Sequence, residues 1–412
     1  MLDVIAICLS ATAILAYVNH RFVRLPTTIG VMVTSLGLSL ALVGLDSLGF
    51  AHDLRLAEES LVRSIDFSEV LLQGMLSLLL FAGAMHVDMG KLTTYRRQIV
   101  ALAVLSTMAS TLIVGVAMWL LLPMVGVDLA LPYCLLFGAL ISPTDPVAVM
   151  GILKSSGAPK SLEVVITGES PFNDGVGVVL FSLLLAMAKS GAVPSFETGL
   201  LALLREAGGG LVFGWVLGYG LFRLLRSVDQ YQVEVLLTLA AVIGGYALAS
   251  HLHISGPLAM VIAGVMIGNR GRAHAMSDTT RQYVDMFWEL VDEILNAVLF
   301  VLVGMEVLLI AFPSRMLLAG AVATGVALLA RLVTVGIPVG ALSQLVRLPT
   351  GSWKVLTWGG LRGGISVALA LSIPSGNSRD IILALTYCVV VWSILVQGLT
   401  IARVVRKAVG SR

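Results

Sequence analysis

Thirteen apolar blocks, separated by short polar loops, restrict what this chain can become. They run approximately 2–20, 27–49, 68–87, 98–123, 130–153, 161–188, 199–222, 233–252, 255–269, 290–311, 315–344, 353–374 and 379–402. A helix needs about 20 apolar residues to cross a bilayer. Within hydrocarbon every backbone N–H and C=O must be satisfied by the chain itself, which leaves helices or closed barrels. A barrel would show short alternating segments rather than long blocks. Only 12% of the residues are charged and 58% are hydrophobic, whereas a soluble domain carries about 25% charged residues. The expected fold is an all-α polytopic membrane protein with thirteen transmembrane helices, forming one membrane domain over 1–412. An amphipathic piece, 277–289, is expected to lie along the membrane surface before the tenth span.

Lysine and arginine placement orients the spans. Loops after odd-numbered spans, with the C-terminal tail, hold eighteen of these residues, Arg96, Arg97, Arg270 and Arg406 among them. Loops after even-numbered spans hold five: Arg55, Arg63, Lys189, Arg315 and Arg379. Positive charge stays on the cytoplasmic side, so a multi-pass protein of the inner (plasma) membrane is expected, with the N-terminus outside and the C-terminus cytoplasmic. The acidic loop 50–69 suits the outer surface. A net charge of +2 argues against nucleic acid as a partner. Neither a Walker-type glycine loop nor a large cytoplasmic segment points to ATP, and no pattern points to an enzyme or a cofactor. Cys8, Cys134 and Cys388 lie in apolar segments without metal-ligand spacing and read as core residues.

Thirteen spans divide as six, one and six. With span seven as a linker, the two halves run in opposite directions, as an inverted repeat requires. Corresponding spans five and twelve are both interrupted near the middle. In span five, Pro143 and Pro146 each lack an N–H and push Ser142 and Asp145 out of the α region. An unwound patch is expected at 142–145, with a half-helix starting near Pro146. In span twelve, Gly359, Gly360, Gly363 and Gly364 surround Arg362 and allow unwinding or close backbone crossing. Discontinuous helices crossing at the midplane are thus expected, with Arg362 compensating the negative ends of helices that meet there.

Span six carries Gly168-Glu169-Ser170-Pro171-Phe172-Asn173-Asp174-Gly175 within an apolar run. Glu169 and Asn173 are i, i+4 neighbours, as are Ser170 and Asp174, so the four make one polar stripe. A charged group at bilayer depth costs roughly 2.5–3.5 kcal/mol even on the mildest scale, so each needs a partner or a function. Arg331, inside span eleven, cannot deprotonate and must be paired. Glu169 is its natural partner, with Asn173 in the same cluster; Glu169 with Arg362 is the alternative. Either pairing leaves Asp174 unpaired. Such a group is neutralised by a proton or by a small cation. Asp145, Asp174, the hydroxyl of Ser170 and the carbonyl of Thr144 form an all-oxygen set suited to a hard ion such as Na⁺, with no soft ligand for a transition metal.

These motifs together, Pro143-Thr144-Asp145-Pro146, Gly168 to Gly175 and Gly360-Leu361-Arg362-Gly363-Gly364, resemble the monovalent cation/proton antiporters of the bacterial and archaeal sodium/proton exchanger type, relatives of the animal sodium/proton exchangers. The resemblance covers the whole chain. It implies a homodimer in the lipid bilayer, with a mobile ion-binding core (98–188 and 315–402) sliding against a dimerisation scaffold (1–87 and 199–311). It also implies Asp145, Thr144, Ser170 and Asp174 as cation and proton ligands, supported by Glu169, Asn173, Arg331 and Arg362. Asn173-Asp174, in place of two aspartates, implies electroneutral exchange of Na⁺ or Li⁺ for H⁺, a function in sodium transport and pH homeostasis. Two departures stand out. Pro171 occupies a position where leucine is expected, with a kink in span six as the expected result. The chain also stops soon after span thirteen, so no regulatory tail is expected.

A K⁺/H⁺ antiporter of the same mechanism fits the same residues, because selectivity rests on fine cavity geometry. A cation channel fits less well, since channels build filters from rings of subunits. Glu234, Asp292 and Glu293 read as lying near the cytoplasmic ends of spans eight and ten, as an inner funnel for cations or as plain surface charge. Glu306, deeper in span ten, reads as a scaffold or outer-cavity residue.

Overall fold

A computed structural model describes residues 2–47, 74–146, 149–150, 153, 158–190, 196–306, 314–341, 348–349 and 351–409. The acidic loop 50–69 and the side chain of Glu306 fall outside the described set. Among the described residues all regular structure is helical. The first half comprises α1 (Leu2–Val18), α2 (Thr27–Ser47), α3 (Leu76–Met85), α4 (Met89–Val100), α5 (Thr107–Leu121), α6 (Leu131–Ile141) and α7 (Lys160–Ser190). Then follow α8 (Phe196–Leu225), α9 (Tyr231–His251), α10 (Gly256–Met266) and α11 (Asp278–Glu306). The last part comprises α12 (Ser314–Arg331), α13 (Ile337–Ala341), α14 (Ser352–Trp358), α15 (Gly364–Leu371), α16 (Asn377–Trp392) and α17 (Leu399–Val409). Several of these continue into one another through single π or 3₁₀ turns, as α4 does into α5 through Ala101–Ser106. Seven stretches among the described residues are long and apolar enough to cross a membrane, with shorter apolar helices at Ile29–Leu42, Leu76–Met85 and Leu131–Ile141.

Local chemistry explains the helix ends that matter. α10 starts where the Ser255 hydroxyl accepts from the Leu258 N–H at 3.3 Å, with Pro257 in the first turn. α6 begins behind Ala130 with Pro132 in its first turn and stops at Ile141, just ahead of Pro143 and Pro146. Helical bonding resumes with the Met150 N–H donating to the Pro146 carbonyl at 2.8 Å. α14 and α15 are separated by the non-helical stretch 359–363. α7 by contrast remains one helix of 31 residues with Pro171 inside it.

One expectation fails. The piece 277–289 does not form a separate surface segment; it is the first half of the continuous helix α11. No glycine or proline interrupts the chain between Asp278 and Val303, so nothing in the backbone ends the helix at 289. Its apolar side is taken up by protein. Val284 and Trp288 are fully buried. The Trp288 indole donates to Thr238 Oγ1 of α9 at 3.1 Å, and its ring lies 4.7 Å from that of Phe81 in α3.

α7 runs through the middle of the bundle, touching α3, α4, α6, α8 and α10. α6 packs on α5, α12 on α16, and α11 on α2 and α3. Small residues let these backbones approach closely. A Cβ at Gly138 of α6 would run into the Thr111 carbonyl of α5. Three hydroxyls meet at this crossing, with Ser142 Oγ 2.9 Å from Ser110 Oγ and Thr111 Oγ1 3.5 Å from Ser142 Oγ, while Ser142 and Thr111 also reach the Gly138 and Thr107 carbonyls at 2.7 and 2.8 Å.

Candidate ion-binding site

The two interruptions meet. The Asp145 N–H donates to the Leu361 carbonyl at 2.8 Å, linking the stretch after α6 to the stretch before α15. Helices ending at the same level leave carbonyls without donors, and Arg362, 4% exposed, supplies them. Its Nε donates to the Ile141 carbonyl at 2.8 Å, its Nη1 to the Gly360 carbonyl, and its backbone N–H to Ser393 Oγ at 3.0 Å. Proline just after α6 and glycine before α15 thus produce an unwound crossing at which a guanidinium replaces lost helical donors.

Gly363 is required by that crossing. A Cβ there would stand 2.7 Å from Asp145 Cβ and would also strike the carboxylate. Gly363→Ala is expected to destabilise the fold by about 1–3 kcal/mol, the usual penalty of overpacking. Gly325→Ala in α12, where an added Cβ meets nothing within 4 Å, serves as the neutral control. Melting temperatures of the two purified variants in one detergent check this; equal values would show that the crossing yields freely.

On α7 the polar stripe divides into two groups. Glu169, 2% exposed, accepts from Arg331 of α12, with Nη1 to Oε1 at 2.7 Å and Nη2 to Oε2 at 3.3 Å. Asn173 donates to Glu169 Oε1 at 3.4 Å and to Thr144 Oγ1 at 3.0 Å, and accepts from the Thr144 N–H at 3.4 Å. Arg331 Nε reaches the Leu356 carbonyl at 3.4 Å. Of the two partners that the sequence left open for Glu169, the salt bridge is to Arg331, while Arg362 is spent on carbonyls.

The second group faces space. Ser170 Oγ donates to the Thr144 carbonyl at 2.6 Å, which ties two oxygens together and leaves the hydroxyl's lone pairs available. Asp174 is 8% exposed and makes no hydrogen bond or ion pair among the described residues. Asp145, Ser170 and Asp174 line a cavity of about 70 Å³. Pro171 borders it too, and by lacking an N–H it leaves the Thr167 carbonyl without its helical donor.

Two further polar groups line this cavity, Asp292 and Asn296 of α11. Sequence reading put Asp292 near a cytoplasmic helix end and did not single out Asn296. With α11 continuous from Asp278, Asp292 lies at its middle rather than near an end. Of the companions grouped with it, Glu293 is exposed and Glu234 is fully buried in the first turn of α9; neither lines the cavity. A larger cavity, of about 350 Å³, lies further along α7 against Val178, Phe181, Ser182, Leu185 and Lys189, and shares no lining residue with the smaller one.

Residues 9–407 match the family described as sodium/hydrogen exchanger, transmembrane. The chain belongs to this family. It is 52% identical over 411 residues to the Na(+)/H(+) antiporter NhaP of Pseudomonas aeruginosa, covering 99% of this chain and 97% of that protein. It is 33% identical over 413 residues to the Na(+)/H(+) antiporter NhaH of Halobacillus dabanensis, covering 99% and 96%. Its fold is similar to the structure of the sodium proton antiporter MjNhaP1 from Methanocaldococcus jannaschii at pH 8, with a TM-score of 0.73 over 98% of each chain at 20% identity. The exchanger family is one of transporters, so family membership places this chain in a membrane rather than among enzymes.

Proposed function

We propose that this chain is a secondary transporter that exchanges Na⁺, or Li⁺, for H⁺ electroneutrally by alternating access. The observation that carries this is the contrast between two buried carboxylates on one helix. Glu169 is neutralised by Arg331, whereas Asp174, one turn further, is 8% exposed, lacks any hydrogen bond or ion pair among the described residues, and lines a cavity with Asp145. A buried anion without a partner is neutralised by a proton or by a cation, and competition between the two for Asp174 and Asp145 is itself an exchange mechanism. Thr144 and Ser170 complete the oxygen set. Glu169, Asn173, Arg331 and Arg362 hold the shape.

Alternating access is supported by the two separate cavities at successive levels of α7. One of them reaches the carboxylates and the other does not. On this reading the chain has thirteen spans in a six, one, six inverted repeat, with the breaks at 142–146 and 359–363 in corresponding places. Segments 98–188 and 315–402 move as the core against a scaffold of 1–87 and 199–311, through which two copies form a homodimer. The eighteen-to-five distribution of Lys and Arg supports a cytoplasmic C-terminus. The relatives' names speak for Na⁺ as the cation.

Everted vesicles loaded with a proton gradient test the proposal through side-by-side additions of Na⁺, Li⁺ and K⁺. Proton release is expected with Na⁺ and Li⁺ at half-maximal concentrations at least about tenfold below that for K⁺, a difference of about 1.4 kcal/mol. It should be insensitive to a clamped membrane potential, as one-for-one exchange moves no net charge. Release by K⁺ alone would replace the cation, and a strong dependence on potential would overturn electroneutrality.

A further inference from the structure

The cavity contains a carboxylate outside the proposed site. Asp292 comes from α11, outside the two segments that bring Asp145 and Asp174 together. Its i+4 neighbour Asn296, 7% exposed, donates its amide to the Asp292 backbone carbonyl at 3.0 Å and to Oδ1 at 3.2 Å. One amide thus fixes the side chain and occupies one of its oxygens. The other, Oδ2, makes no hydrogen bond or ion pair among the described residues. Glu289 and Glu293, its neighbours on α11, are exposed and absent from the lining. Among the described residues, the one acidic side chain that α11 contributes to the lining is therefore the one held by an amide. Asp174, more than nine-tenths buried and without a hydrogen bond, lines the same small space. Two carboxylates in a confined, poorly screened volume repel one another unless a cation stands between them.

We propose that Asp292 is a third carboxylate for the transported cation, fixed on the scaffold, and that it touches the ion only while the core presents its site to this cavity. The inference rests on the antiport reading and sharpens it. Thr144, Asp145, Ser170 and Asp174 belong to the segments that would travel with α6 and α7, whereas Asp292 would stay with α11. It therefore helps to capture the cation in one access state and is left behind when the core moves. Asn296 is the residue that positions it. Such an arrangement separates affinity from turnover, because the moving core carries its own ligands.

In everted vesicles, Asp292→Asn is expected to raise the half-maximal Na⁺ concentration about tenfold while lowering the maximal rate by no more than about twofold. Asp292→Glu should recover part of the affinity, and Asn296→Ala, which releases the carboxylate, should shift it in the same direction by less. Protein amounts are matched by immunoblot. An unchanged half-maximal concentration in Asp292→Asn, with the unaltered protein exchanging normally, overturns this inference and leaves antiport standing. So does a loss of maximal rate alone, which would make Asp292 a structural group. If the unaltered protein responds to no cation, the antiport reading itself fails.

Discussion

Asp174→Asn is expected to abolish cation-evoked proton release in everted vesicles while leaving the protein folded and in the membrane. Asparagine keeps the size of the side chain, so the wall of the cavity is preserved. It removes two things at once. No group at this position can then take up a proton at any accessible pH. The cation also loses a full countercharge. A unit charge about 4 Å away is worth about 4 kcal/mol at an effective dielectric of 20, close to three decades in affinity. Raising the Na⁺ concentration does not restore release, because the proton-carrying group is gone; this separates Asp174 from Asp292, whose loss extra Na⁺ overcomes. Asp174→Glu keeps the charge on a longer arm and should retain a measurable fraction of the rate. The readout is fluorescence dequenching of a pH-sensitive dye, normalised to protein content. Exchange by Asp174→Asn within about threefold of the unaltered protein, half a decade of rate, would sink the assignment of Asp174 as the exchanging group.

How much of this site was legible in the sequence depended on whether the local code and the tertiary packing agreed. The break at 142–146 was readable because proline removes a donor whatever surrounds it. The Glu169–Arg331 bridge was nearly readable, because Arg331 and Arg362 are the two arginines well inside their apolar blocks, away from the ends, and each buried charge needs a partner. Choosing between Arg331 and Arg362 was not, since both lie in apolar runs of similar depth. Their separate tasks follow from how the two breaks cross, which brings the Ile141 and Gly360 carbonyls to Arg362. Asp292 reads as a span-end residue, and Asn296 carries no signal of its own, for a different reason. Charges at Asp285, Glu289 and Glu293 make the first half of α11 look like a surface segment, so the apolar block begins near 290 and leaves Asp292 next to its end. The helix continues because Trp288 buries against α3 and α9 and Val284 is buried as well, packing that composition alone does not register. Pro171 shows the limit in the other direction. A strong local breaker could end a helix, yet α7 continues through Pro171 as a single helix of 31 residues.

The second large effect concerns stability. Arg331→Gln and Glu169→Gln, taken singly, should each destabilise the protein by about 3–5 kcal/mol, because each leaves a buried charge without its partner. Glu169 is 2% exposed and Arg331 5%, so water cannot screen what remains. The double variant, Glu169→Gln with Arg331→Gln, removes both charges and keeps two amides able to hydrogen-bond across the gap between α7 and α12. Most of the lost stability should therefore return in the double variant, which is expected to be more stable than either single variant, so that the two single losses are far from additive, as for residues in one network. Thermal unfolding of the purified proteins in detergent measures this, and additive losses would show that the two side chains act independently. The same variants separate the two halves of the stripe. If Glu169 only holds α7 against α12, the double variant recovers exchange together with stability and shows an ordinary half-maximal Na⁺ concentration. If Glu169 is itself a ligand, stability returns while cation affinity does not. The first outcome is expected, because both Glu169 oxygens are engaged by the Arg331 guanidinium, whereas Asp174, one turn on, is engaged by nothing among the described residues.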